Sequence, residues 1–112
     1  MIWIGFYRAN ENWIREVEAT MRRTGKTRQE VLAETGILSK VRAFPQSLPQ
    51  SCRLVGAYNP TRSISHGDPA WAQFPAVVIL ETDDPADVTH YINYYDGILT
   101  VAFHPYIEVP RT

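Results

Sequence analysis

Five consecutive apolar residues, Ala76-Val77-Val78-Ile79-Leu80, constrain this chain more than any other feature. A run this short, bounded by a proline and an acidic cluster, reads as a strand. A strand that is apolar at every position needs cover on both faces. A helix start follows, with Asp84 as N-cap, Pro85 at the first helical position and Asp87 in the first turn. The cluster Glu81, Asp83, Asp84 and Asp87 therefore has a structural account before any metal or general-acid role. Val88, Tyr91, Ile92 and Tyr95 form the helix's apolar stripe, and Asp96-Gly97 turns the chain into a last strand, residues 98–109. On that strand Leu99, Val101, Phe103, Ile107 and Val109 share one face. Thr100, Ala102, His104, Tyr106 and Glu108 share the other.

The first half supplies the partners for this unit. Residues 2–8 read as a strand with Ile2, Ile4 and Phe6 on one side and Trp3, Gly5 and Tyr7 on the other. Gly5 leaves a gap between two large rings, for a close-packed helix or for the floor of a pocket. Asn10 caps a helix whose stripe is Trp13, Ile14, Val17 and Met21, ending near Gly25. Thr27 and Glu30 have the spacing of a capping box, which predicts a second short helix closed by Gly36. Residues 37–51, with Pro45, Pro49 and three serines, are expected to be an irregular surface connector. Arg53 to Tyr58 is the second strand, with Gly56 between Leu54 and Tyr58 on one face. The joint from 60 to 74 is far longer than a hairpin loop and holds His66, Trp71 and Phe74. It is expected to act as a lid over a site or as an arm across a partner subunit.

The order strand, helix, strand, strand, helix, strand is that of the split βαβ, ferredoxin-like arrangement. The expectation is an α+β fold, a single domain over residues 1–112, with a four-stranded antiparallel sheet and helices on one face. A chain of 112 residues buries roughly two-thirds of its unfolded surface, enough for one core. The other sheet face would be bare yet apolar, which predicts an isologous, face-to-face homodimer.

Leu54-Val55-Gly56-Ala57-Tyr58, the run Val78 to Pro85, and Leu99-Thr100-Val101-Ala102-Phe103-His104-Pro105-Tyr106 resemble small proteins of the dimeric α+β barrel superfamily. The likeness is greatest to a muconolactone-isomerase-like group of unassigned function. It covers residues 53–109 well and the first strand loosely. It departs from that pattern at residues 25–51 and 60–74. The resemblance implies the fold and the dimer. That superfamily includes isomerases, cyclases, cofactor-independent monooxygenases, haem enzymes and ligand-sensing domains, so it leaves activity open.

Composition narrows the choice. A net charge of −1, with Arg15, Arg22, Arg23, Lys26 and Arg28 interleaved with glutamates, gives no footprint for nucleic acid. No apolar run nears the roughly 20 residues that span a bilayer, so no membrane partner is expected. Cys52 is the sole cysteine and no signal-peptide pattern opens the chain, so a reducing, cytoplasmic setting is the expectation. No histidine pair has the spacing of a metal site, and neither a metal nor a cofactor is implied.

Two readings of function remain. One is a cofactor-independent enzyme of isomerase, cyclase or monooxygenase type acting on a small apolar or aromatic metabolite. His104 would be its acid–base group and His66 a second candidate from the long loop. Trp3, Tyr7, Tyr58, Asn59, Trp71, Tyr91 and Tyr106 would line the substrate cavity, which suits a mostly apolar site with a few polar tips. The other is a non-catalytic dimer that binds a ligand or a protein, its aromatics serving mainly as packing.

Overall fold

The structure, a computed structural model, describes residues 1–61 and 76–111. Eight elements follow one another: β1 (Ile2–Ala9), α1 (Glu11–Thr24), α2 (Arg28–Thr35), α3 (Ile37–Ser47), β2 (Arg53–Tyr58), β3 (Ala76–Glu81), α4 (Pro85–Tyr94) and β4 (Leu99–Tyr106). The strands form one antiparallel sheet in the order β2-β3-β1-β4. The all-apolar run is thus a central strand, flanked on both sides. β4 lies at an edge and carries Pro105, a residue that sheets confine to such positions. The α+β class and the four-stranded antiparallel sheet agree with expectation, with four helices where three were expected.

Register defines the two faces. Gly5 lies between Val78 and Phe103, and Ile4 between Ile79 and His104. The first face carries Trp3, Tyr7, Leu54, Val78, Leu80, Leu99, Val101 and Phe103, and packs against Phe44 of α3 and Tyr91 and Tyr95 of α4. This is the core. The second face carries Ile2, Ile4, Phe6, Val77 and Ile79, with Tyr58, Ala102, His104 and Tyr106 toward its margins. The side chains of the helices that contact the sheet core all meet the first face. The shortest dimension of the molecule, 19 Å, matches one sheet layer and one helix layer.

The helix ends form for the reasons their residues give. Asn10 accepts from the Asn12 amide at 2.9 Å, and α1 closes on Gly25 at φ 73°. Thr27 and Glu30 complete a reciprocal capping box, and Gly36 at φ 74° closes α2. Asp84 accepts from the Ala86 amide at 2.9 Å and starts α4. These glycines take a left-handed conformation that would strain any residue with a Cβ.

Four expectations need correction. Residues 37–51 are helical as far as Ser47, not an irregular connector. Ile37, Val41, Phe44 and Leu48 recur at helical spacing, and α3 continues through Pro45 although that residue has no N–H to give the Val41 carbonyl. On β2 the register shifts between Leu54 and Gly56. This bulge keeps Leu54 on the core face but turns Gly56 and Tyr58 to the second face. The last strand ends at Tyr106, because its partner β1 begins at Ile2, directly opposite. Ile107 and Val109 therefore leave the sheet and are 88% and 77% exposed. Finally, Ile92 stands off the α4 stripe, exposed while Val88, Tyr91 and Tyr95 are buried.

The gap at Gly5 is filled by neither a helix nor a pocket. A Cβ there would lie 2.6 Å from the Phe103 ring and 2.9 Å from Val78. The ring of the neighbouring strand lies across the glycine and uses the space itself.

Candidate functional site

A cavity of about 510 Å³ opens on the helix side of the sheet. Its floor is the end of the sheet: Tyr7 and Ala9 of β1, Leu54 and Ala57 of β2, Ala76 and Val78 of β3, and Leu99 of β4. Its walls are Trp13 of α1, Ile37, Val41, Phe44 and Pro45 of α3, and Tyr91 and Tyr95 of α4. Ile98, Arg8 and Asn59 complete the rim. Both the size and the apolar character suit a small organic molecule.

The aromatic wall is rigid. Phe44, 3% exposed, meets Tyr91 and Tyr94 edge-on at centroid distances of 5.1 and 5.0 Å and lies 5.5 Å from Tyr95. Tyr91 also meets Phe103 of β4 edge-on at 5.1 Å. These contacts fix α3 and α4 to each other and to the sheet. Tyr94 adds a hydrogen bond from its hydroxyl to the Lys40 carbonyl.

The polar groups of the cavity are few. The Tyr7 hydroxyl donates to Asn59 Oδ1 at 3.2 Å, which leaves the Asn59 amino group as a donor. Tyr91 and Tyr95 are 4% and 6% exposed. Among the described residues neither hydroxyl has a hydrogen-bond partner, yet both side chains line the cavity. Both oxygens are open to the cavity, and a ligand that covered such a hydroxyl without offering it a partner would lose roughly 1–3 kcal/mol. Burial raises all three phenols above their ordinary pKa, Tyr95 to about 12; repulsion from Tyr7 and Tyr95 adds to the effect on Tyr91, and from Tyr94 and Tyr7 to that on Tyr95. They are neutral across the physiological range. The lining holds one charged residue, Arg8, whose guanidinium lies 3.5 Å from Glu11. Among the described lining residues there is no histidine, carboxylate, lysine or cysteine.

Of the residues the sequence nominated, Tyr7, Asn59 and Tyr91 meet in this cavity. Trp3 lies on the core face but at the far end of β1, opposite Leu80 and Pro105, and does not line it. Tyr58, Tyr106 and His104 stand on the second face, exposed. His66 and Trp71, with the proposed lid or arm at 60–74, lie outside the described residues beyond Thr61. Trp13, Phe44 and Tyr95 line the cavity and were read only as packing or not at all. The signal that could have found Phe44 is its helical spacing from Ile37 and Val41, masked by the prolines around it.

Two other polar clusters have structural explanations. Asp87, 4% exposed, accepts from Thr82 Oγ1 at 2.6 Å and from Ser51 Oγ at 2.7 Å, both on one oxygen. It joins the start of α4 to the end of β3 and the entry to β2. Burial and Asp87 both push the nearby Cys52 thiol up, so it stays protonated and weakly nucleophilic. Ser47 Oγ lies 3.0 Å from His90 Nε2. Ser47 already donates its proton to the Phe44 carbonyl at 2.7 Å, so His90 donates to it. That direction makes a helix–helix pin rather than an activated nucleophile. Among the described residues no group of three His, Cys, Asp or Glu is placed to hold a metal ion. No described helix is long and apolar enough to cross a membrane.

Compared with known protein families, with curated proteins and with solved structures, the chain matches none. The geometry of the cavity therefore carries the functional reading by itself.

Proposed function

We propose that this chain is a small-molecule-binding subunit of a homodimer, its cavity taking an apolar or aromatic metabolite. The observation that carries the reading is the 510 Å³ space between the sheet, α3 and α4, walled by aromatic and aliphatic side chains with neutral phenols inside. A core that merely needed packing would close such a space, because protein interiors fill to crystal-like density.

The assembly reading has separate support. The strand order β2-β3-β1-β4, antiparallel throughout, is the order of a ferredoxin-like split βαβ unit. The second face presents Ile2, Ile4, Phe6, Val77 and Ile79 together, an apolar surface that a second copy would cover in the manner of a dimeric α+β barrel. Each subunit's cavity would then lie outside the barrel. His104 would lie in or beside the interface, remote from the cavity floor.

Binding is favoured over catalysis by this placement. His104 cannot reach a ligand in the cavity of its own subunit, since it projects from the opposite face of the sheet. The catalytic reading, a cofactor-independent isomerase, cyclase or monooxygenase, draws its support from the tyrosine hydroxyls, which can donate to a developing oxyanion.

The test is a titration of the protein with 2-ethylnaphthalene, followed by tryptophan emission, because Trp13 forms part of the wall. Saturable binding is expected. Ala57→Trp, which fills the cavity from β2, abolishes it while leaving the thermal midpoint within a few degrees. Equal binding by the filled variant would overturn the reading.

A further inference from the structure

The cavity has an unused hydrogen-bonding pole. Tyr91 on α4 and Tyr95 at its C-cap sit four residues apart, with ring centroids 4.9 Å from each other. Both are more than nine-tenths buried, both line the cavity, and neither hydroxyl is paired among the described residues. Neither oxygen is shut off from the surface, so both are open to the cavity. Tyr7 belongs to the same group, but its proton is committed to Asn59 Oδ1. That bond turns the Asn59 amino group into the remaining amide donor at the rim.

We infer that the Tyr91 and Tyr95 hydroxyls form a donor pole that binds the carbonyl oxygen of an aromatic ketone. This rests on the reading of the cavity as a site for an apolar ligand. The surroundings decide the ligand's polar end. An ammonium group would enter a space whose described lining offers no carboxylate, and an unpaired buried cation is strongly disfavoured. A pure hydrocarbon would cover the two hydroxyls, which are now open to the cavity, and offer them no partner. A carbonyl oxygen has two lone pairs and accepts from two donors at once. The aromatic body follows from the walls, where Trp13, Phe44 and the two tyrosine rings offer faces and edges for stacking. Burial, which raises the pKa of both phenols, keeps them in the donating form.

The experiment compares three ligands with one body: 2-acetylnaphthalene, 2-ethylnaphthalene and 1-(2-naphthyl)ethylamine. They are titrated against the full chain and against the Tyr91→Phe/Tyr95→Phe double variant. The ketone is expected to bind the full chain about tenfold tighter than the hydrocarbon, the scale of one or two net hydrogen bonds. The ammonium compound is expected to bind weakest. The double variant is expected to equalise ketone and hydrocarbon by weakening only the ketone. Because each substitution removes a hydroxyl without a protein partner, its thermal midpoint is expected to equal or exceed that of the parent. Equal affinity of ketone and hydrocarbon for the full chain would overturn the donor pole while leaving the apolar site standing. A ketone preference that survives in the double variant would also overturn it. Failure of all three ligands to bind would remove both the pole and the cavity reading beneath it.

Discussion

Gly5 has a phenyl ring where a side chain would stand. The Phe103 ring that covers it is itself held edge-on by Tyr91, so it cannot move aside without disturbing the cavity wall. Gly5→Ala is therefore expected to destabilise the fold by about 1–3 kcal/mol, the usual cost of overpacking. A lower urea midpoint with an unchanged slope checks this. From sequence the gap at Gly5 is visible but its occupant is not, because Phe103 is nearly a hundred residues away and only the β1–β4 register brings it there. The tyrosines set a second expectation. In the folded chain Tyr91 and Tyr95 ionise above the ordinary tyrosine value of about 10, Tyr95 at about 12. An unfolded chain loses those protons first. Stability is then insensitive to these groups below about pH 10 and falls as pH rises from there toward 12. The Tyr91→Phe/Tyr95→Phe variant is expected to show a shallower alkaline arm in denaturant midpoints measured across that range. An unchanged arm would mean that the two phenols are not shielded.

At the scale of elements, α3 is the piece that makes the cavity. Its stripe of Ile37, Val41 and Phe44 supplies one wall, and Phe44 alone touches the rings of Tyr91, Tyr94 and Tyr95. Phe44→Ala is expected to cost about 3–5 kcal/mol, as for other buried aromatic truncations. Thermal or urea unfolding measures it; a loss below about 1 kcal/mol would show that α3 is a dispensable cover. The elements with strong local signals were legible in the sequence: Asn10, the Thr27/Glu30 box and Asp84-Pro85 each start a helix where their spacing says. α3 was not, because prolines, serines and glutamines outweigh a four-residue stripe in any local reading. The β2 bulge was hidden for a different reason. A one-residue slip in pairing has no local signature, yet it sends Tyr58 to the other face from Leu54. Tyr58 thus left the candidate site through register alone, whereas Tyr7 and Tyr91 stayed in it.

Among the described residues, the helices of the core pack on one face of the sheet, and Ile2, Ile4, Phe6, Val77 and Ile79, each half-buried, share the other. A radius of gyration of 16.3 Å, against the about 13 Å typical of a domain near this length, fits a shape that is not closed on itself. The proposed dimer would cover Ile4 and Phe6 with a second copy. Ile4→Glu places a charge at the centre of that second face, between Ile79 and His104. It is expected to shift a dimer to a monomer in sedimentation equilibrium without loss of helical content. A parent chain that is monomeric at micromolar concentration would contradict the dimer directly. The same two-sidedness separates the proposed ligand site from the proposed dimer face. It places the cavity with its tyrosines on one side of the sheet and His104 on the other, a division that strand alternation alone could show for β4 but not for the site as a whole. The most direct test of the cavity assignment is to locate a bound ligand by nuclear Overhauser contacts between 2-acetylnaphthalene and the isotope-labelled protein. Contacts to the side chains of Trp13, Phe44 and Tyr95 are predicted; contacts to Ile4, Phe6 and Tyr106 on the opposite face would contradict the account.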